Sequence, residues 1–332
     1  MADAVAVTVL TGFLGSGKTT LLAHLLRDPE LADAAVLINE FGEAAIDHLL
    51  VESVDETTVV LASGCVCCSV LGDLANALRG LAEKRENGRV PPFRRLVIET
   101  TGLADPAPIL HTLMNDPLVA GQYRLDGIAA TVDGALGLRT LAAHPEAEKQ
   151  AALAERIVIT KVDIADPADT AALEDRLARL NPAARIFRAT HGNIDARDIL
   201  DAGLFDADLT PHPERWLGAD AVRRAPVHDA RISTFVLEAR GPLDFVAFQS
   251  WLEDLLDAHG ANVLRVKGVI DVLGVDRPVA VHGVQHIFHP PAVLQSWSEM
   301  EKKSRIVFIT RGIHELAVRS AFDAHMPGHL CA

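Results

Sequence analysis

Four cysteines in 332 residues are too few for a disulfide framework, and three of them crowd into Cys65-Val66-Cys67-Cys68. In a reducing compartment such crowding favours metal binding or thiol chemistry over cross-linking. No apolar run reaches the ~20 residues needed to span a bilayer. The N-terminus lacks the basic segment, apolar stretch and cleavage site of an export signal. A cytoplasmic protein without a membrane partner is therefore expected. Positive charge is also in deficit. A formal net charge of -14 disfavours DNA, RNA and anionic surfaces as partners. Low-complexity tracts are absent, and the length leaves room for two domains.

What is present begins with a phosphate-binding signature. Val5 to Leu10 is a short apolar, β-branched run, the pattern of a buried parallel strand. It leads into Gly12-Phe13-Leu14-Gly15-Ser16-Gly17-Lys18-Thr19, a full match to G-x-x-x-x-G-K-[ST]. Leu21, Leu22, Leu25 and Leu26 then recur at helical spacing until Asp28-Pro29. Glycines at 12, 15 and 17 let successive N–H groups turn inward on one phosphate, and the helix adds its N-terminal partial charge. Lys18 is expected to reach the β- and γ-phosphates, and Thr19 to ligate Mg²⁺. Ser16 and Thr20 complete the predicted nucleotide contacts.

Two further strands supply the rest of a nucleotide site. Arg95-Leu96-Val97-Ile98-Glu99 is an apolar run ending in an acid, which at a strand's carboxyl end suits a Mg²⁺ contact. Arg156-Ile157-Val158-Ile159-Thr160-Lys161-Val162-Asp163 is another, ending in Thr-Lys-x-Asp. A carboxylate there can accept from guanine's N1–H and 2-amino group, a donor pair that adenine lacks. Asp163 therefore favours GTP, and the Lys161 stem is expected along the base plane.

The cysteines suit a transition metal. In an extended stretch Cys65 and Cys67 face one side, and Cys68 can join only if the chain turns there, which Gly64 before it and Gly72 after it make easier. Three thiolates fit Zn²⁺, and an outside fourth ligand would leave an exchangeable position. Co²⁺ and Cu(I) are the competing ions. A redox switch and simple core packing are the competing uses.

These motifs together resemble the CobW-like P-loop GTPases. The resemblance rests on T-G-F-L-G-S-G-K-T-T-L-L (11–22), I-N-E-F-G-E (38–43), G-C-V-C-C-S (64–69), E-T-T-G-L-A-D-P (99–106) and T-K-V-D (160–163). It extends through L-R-V-K-G (264–268) and Trp297 to R-I-V-F-I-T (305–310). The resemblance implies a Mg²⁺-dependent GTPase that hands Zn²⁺, or Co²⁺, to a client metalloprotein. Further copies of the chain are a second candidate partner. Glu43, by its place in N-E-F-G-E, becomes an accessory metal ligand. Thr160 departs from the pattern, which leads one to expect Asn. A small-molecule kinase with incidental cysteines and a nucleotide-gated metal store are the alternative readings.

The fold expected is α/β. A P-loop domain with a mostly parallel sheet covers 1–205, a linker 206–227, and a smaller α+β domain 228–332. In the last, Ile232 to Leu237 reads as a strand. Pro242 is expected to open a helix striped by Phe245, Phe248, Leu252 and Leu255 and capped by Gly260. His212 and His228 fall in or beside the linker. His282, His286 and His289 form a candidate second metal site or a set of surface residues, and His325 and Cys331 read as tail.

Overall fold

The computed structural model describes residues 4–38, 59–62, 70–200, 217, 227–228, 231–297 and 301–331. Of 59–62, 70–73 and 227–228 it gives the secondary structure alone. The chain divides into two compact units, Met1–Glu174 with Arg185–Leu204, and Asp175–Ala184 with Phe205–Ala332.

The first unit is built on a seven-stranded sheet. Its strands are β1 (Val5–Gly12), β2 (Ala34–Ile38), β3 (Val59–Ala62), β4 (Arg95–Glu99), β5 (Tyr123–Asp133), β6 (Arg156–Thr160) and β7 (Arg185–Arg188). They lie in the order β3-β2-β4-β1-β5-β6-β7, and every pair is parallel. β1 is buried along its whole length. It is dominated by Val, Leu and small residues because a central parallel strand is covered on both faces. The crossovers are α1 (Lys18–Leu25), α2 (Val70–Glu86), α3 (Ala107–Asn115), α4 (Pro117–Ala120), α5 (Gly137–Ala143), α6 (Pro145–Leu153) and α7 (Pro167–Leu180), with α8 (Ala196–Ile199) after β7. Leu21, Leu22 and Leu25 of α1 are buried with Leu10, Val36 and Val97 of the sheet. Chain order reverses about β1, so the carboxyl ends of β1, β4 and β6 open on the crevice where α/β sheets bind ligands.

The second unit is an antiparallel sheet in the order β12-β11-β10-β14-β9-β8, with β13 added to β11. Its strands are β8 (Val227–His228), β9 (Ile232–Ala239), β10 (Val263–Val272), β11 (Val275–Val284), β12 (Ile287–Phe288), β13 (Ala292–Val293) and β14 (Ser304–Arg311). Helices α9 (Phe245–His259) and α10 (Glu315–His325) complete its core. Trp251, fully buried, lies 4.9 Å from Phe322 and 6.0 Å from Phe308, ring to ring, both edge-on.

Several expectations change here. The helix opens at Phe245 rather than Pro242, because the Asp244 carboxylate caps it by accepting from Ala247 N at 3.0 Å. Trp251 joins the buried stripe of Phe248, Leu252 and Leu255, while Phe245 is only half-buried. Gly260 does cap the helix, its N–H donating to Leu256 O, but in the right-handed conformation (φ -54°), and the chain continues into a 3-10 turn. The three histidines are not surface residues in common. His282 and His289 are buried, with ring centroids 5.0 Å apart and stacked, whereas His286 is exposed, as a surface residue would be, and lies beside Gly260. His325 closes α10 and bonds Asp254 at 3.0 Å rather than belonging to a loose tail.

Candidate functional site: a nucleotide cradle at the carboxyl ends of β1, β4 and β6

The loop between β1 and α1 is organised by its neighbours. The Ser16 hydroxyl meets Thr131 Oγ1 of β5 at 2.6 Å, and Thr160 at the end of β6 donates its hydroxyl to Ser16 O at 2.7 Å. Lys161 is left-handed (φ 55°) and donates its ammonium to Gly15 O and to Asp133 Oδ2, each at 2.7 Å. Two residues of T-K-V-D therefore grip the loop by its carbonyls. Thr160 does with a hydroxyl what the expected Asn would do with an amide.

Lys18 is buried and donates to Gly12 O at 3.0 Å and Phe13 O at 3.3 Å. Thr19, the first residue after it, donates its hydroxyl to Glu99 Oε1 at 2.9 Å. β1 and β4 are in register at Leu10 and Glu99, which is why a residue eighty positions away meets the first turn of α1. Two hard oxygens at this spacing fit the chemistry of Mg²⁺, which favours one or two protein oxygens alongside phosphate and water. Thr100, next along, donates to Thr11 Oγ1 at 3.0 Å and its N–H to Leu10 O at 2.9 Å.

The segment following Glu99 is held from α6. Gln150, buried, donates its amide to Gly102 O at 3.2 Å and Ala104 O at 3.0 Å, and Lys149 pairs with Asp105. A Cβ on Gly102 would stand 2.6 Å from Leu14 N and 2.7 Å from its Cα, so only glycine allows this approach to the phosphate loop. Phe13 in turn stacks on His144, ring centroids 4.4 Å apart.

The structure thus brings together Gly12, Gly15, Ser16, Gly17, Lys18, Thr19, Glu99, Thr160 and Lys161, and sets Asp163 three residues beyond β6. Sequence reasoning missed Asp133, Thr131 and Gln150. Asp133 had one local signal, a strand ending in Asp before Gly134-Ala135, which becomes a cap accepting from Ala135 N and Leu136 N at 2.8 and 2.9 Å. Cys65, Cys67, Cys68, Glu43 and His212 lie outside the described residues. Among the described residues no three His, Cys, Asp or Glu side chains form a metal group. His282 and His289 are poorly suited to one. Burial pushes the His282 imidazole well below its ordinary range, with Arg265, His289 and Lys267 adding to the effect. Burial, then Arg265, takes His289 down to about 3. Neutral rings could ligate, but two neighbouring cations oppose a divalent ion.

A glycine loop closed by a lysine, a Thr–Glu pair at its mouth and a Thr-Lys-x-Asp strand end define a P-loop nucleotide-binding protein of the GTPase type. The match to known families is specific. Residues 6–188 fit the CobW/HypB/UreG nucleotide-binding domain, and residues 232–326 fit the cobalamin synthesis protein cobW C-terminal domain. The chain belongs to the CobW/HypB/UreG family of P-loop GTPases and carries the CobW C-terminal domain. It is 34% identical over 321 residues to the zinc chaperone YjiA of Escherichia coli (strain K12), covering 96% of this chain and 98% of that protein. It is 27% identical over 354 residues to the zinc chaperone CobW of Sinorhizobium sp, covering 96% and 97%. The crystal structure of Zn(II)-bound YjiA GTPase from E. coli superposes with a TM-score of 0.74 at 30% identity, over 97% of this chain and 99% of that one.

Proposed function

We propose that this chain is a Mg²⁺-dependent GTPase that carries Zn²⁺ on Cys65, Cys67 and Cys68 and passes it to a client metalloprotein. Two of its relatives are named zinc chaperones, and one of these, YjiA, has a Zn(II)-bound crystal structure, which supports the cargo. Asp163 selects guanine, Lys18 and the loop N–H groups hold the phosphates, and Thr19 with Glu99 hold Mg²⁺. Bound there, Mg²⁺ would neutralise charge on the β- and γ-phosphates.

One observation carries the link between nucleotide and metal. Ala62 is in register with Ile38, and Ile38 with Glu99, so the three stand in one row across β3, β2 and β4. Adjacent strands lie about 4.8 Å apart, so the chain leaves β3 for the cysteines at the level of the Mg²⁺ corner, two strand spacings away. Cys65 follows Ala62 by three residues. Glu43 follows Ile38 by five residues and would serve as an accessory ligand. A change in occupancy at the phosphate end is therefore positioned to bias the thiol segment, and by linkage the reverse holds with the same factor.

The test is zinc affinity of the purified protein without nucleotide, with GDP and with a non-hydrolysable GTP analogue, beside a variant with Cys65, Cys67 and Cys68 all changed to Ser. The reading expects nucleotide-dependent affinity in the wild type and loss of tight binding in the variant. Equal affinity in all three states of the wild type would remove the coupling. Tight binding by the triple variant would move the cargo site elsewhere. Co²⁺ run in parallel decides between the two ions.

A further inference from the structure

A loop on the far side of the crevice has no part in the site as described so far. Thr190-His191-Gly192-Asn193 follows β7 and closes on itself, Asn193 N donating to Thr190 O at 2.9 Å. Its two central residues both have positive φ, 52° at His191 and 78° at Gly192, the signature of a type I′ turn. Histidine is one of the few side chains found there with any frequency, but the left-handed region is still unfavourable for a residue with a Cβ. Such a conformation persists where the surroundings over-determine it, often at ligand sites.

The surroundings do over-determine it. A Cβ on Gly192 would stand 2.7 Å from Thr20 O and 3.2 Å from Leu21 Cα, so the turn is pressed against the first turn of α1. On the other side Ala189 N donates to Ile159 O at 2.8 Å, which ties the start of the turn to the strand that ends at Thr160. Between these anchors the His191 side chain is 85% exposed, yet Nε2 stands 3.8 Å from Asp163 Oδ2. The turn holds an imidazole, not otherwise engaged in packing, beside the base-reading carboxylate.

Guanine chemistry gives that position a purpose. The edge offered to Asp163 carries N1–H and the 2-amino group, and O6 sits on the carbon next to N1. A donor serving O6 must stand to one side of the carboxylate serving N1, a little more than one hydrogen-bond length of about 2.9 Å away. His191 Nε2 meets that requirement.

We propose that His191 is a specificity-determining residue of the base site, donating its Nε2–H to guanine O6 while Asp163 accepts from N1–H and the 2-amino group. This rests on the reading of Asp163 given above and extends it. Asp163 alone rejects adenine through missing donors. With the proton on Nε2, the tautomer that the Asp163 carboxylate 3.8 Å away favours, His191 adds rejection through the opposite sign, because adenine presents an amino group where guanine presents O6, and two donors then face each other. Base identity is read from both sides.

The experiment compares GTP, 6-thio-GTP and ATP as competitors of a fluorescent GDP analogue, on the full chain with Mg²⁺ at neutral pH. Sulfur at position 6 is a poor acceptor, so it removes the proposed bond and leaves the Asp163 contacts. The variants are His191→Gly and His191→Asn, both at ease with positive φ, so the turn is kept; the Asn amide is shorter and is expected to behave as Gly does. The wild type is expected to favour GTP over 6-thio-GTP by about 3- to 10-fold, the weight of one net hydrogen bond. In both variants GTP is expected to weaken to the 6-thio-GTP level while 6-thio-GTP itself holds. If the variants keep the wild-type ratio, or if both nucleotides weaken together, the role of His191 is overturned and the turn's backbone N–H groups are left to serve O6. If the wild type fails to prefer GTP over ATP, the reading of Asp163 falls first and takes this one with it.

Discussion

Thr160 donates its hydroxyl to the carbonyl of Ser16 at 2.7 Å, fastening the end of β6 to the middle of the phosphate loop. Thr160 is buried, and the same hydroxyl lies 3.3 Å from Val132 O. The bond ties the end of β6 to the backbone of the phosphate loop. Thr160→Val keeps the shape and leaves a buried carbonyl unserved, a cost of about 1–3 kcal/mol. GTP affinity is expected to fall about 10-fold, and Thr160→Ser to retain it; nucleotide titration of the two variants separates shape from hydrogen bond.

Glu99→Gln keeps the acceptor for Thr19 but removes the charge that would face Mg²⁺. The Mg²⁺ concentration needed for half-maximal GTP hydrolysis is expected to rise at least about 10- to 100-fold, the effect of disturbing even an outer partner of a metal. Binding of nucleotide in the presence of a chelator is expected to change far less. Phosphate release measured over a Mg²⁺ series gives the answer.

Gly102→Ala places a methyl against the backbone of Leu14, which cannot swing aside as a side-chain tip could. The segment held by Gln150 must retreat from the phosphate loop. Stability is expected to drop about 1–3 kcal/mol, as for overpacked cores, and GTP turnover to fall more than GDP affinity. Chemical unfolding and single-turnover hydrolysis report the two effects separately.

The buried pair His282 and His289 makes the second unit sensitive to acid. Both imidazoles are held neutral in the folded chain, His289 with a pKa of about 3, whereas the unfolded chain takes up protons near the ordinary value of about 6.5. The unfolded state therefore binds more protons as pH falls below about 6.5, and stability declines with it. The contribution is fully present above about 6.5 and is lost progressively towards about 3. His289→Gln removes one of the two titrations. Between pH 6.5 and 4.5 the wild type is expected to lose about 2 kcal/mol more than the variant, from unfolding midpoints across the range.

The first unit was legible where one residue's neighbours along the chain decide its role. The octet 12–19 and the apolar runs of β1, β4 and β6 announce themselves, because a glycine turn and a doubly covered strand leave local patterns. Asp133 and Gln150 were not legible. Their work is to meet Lys161 and Gly102, 28 and 48 positions away, and no spacing encodes that. His282 and His289 misled for a related reason. The strand-to-loop stretch reads as surface, and only the pairing of Lys267 with His282 across β10 and β11 turns it inward. Gly260 caps α9 as its composition suggests, but composition does not give the handedness of the exit, which is right-handed.

The placement of β3 has a mechanical meaning of its own. Among the described residues it is the outermost strand of its sheet, four residues long, and it hydrogen-bonds to β2 alone. Edge elements with a single partner are the cheapest parts of a fold to open locally. Ala62, three residues before Cys65, thus stands at the border with least to lose. Amide exchange at 59–62 should respond to ligands on either side sooner than exchange in β1, and the fold can yield there while its centre stays shut.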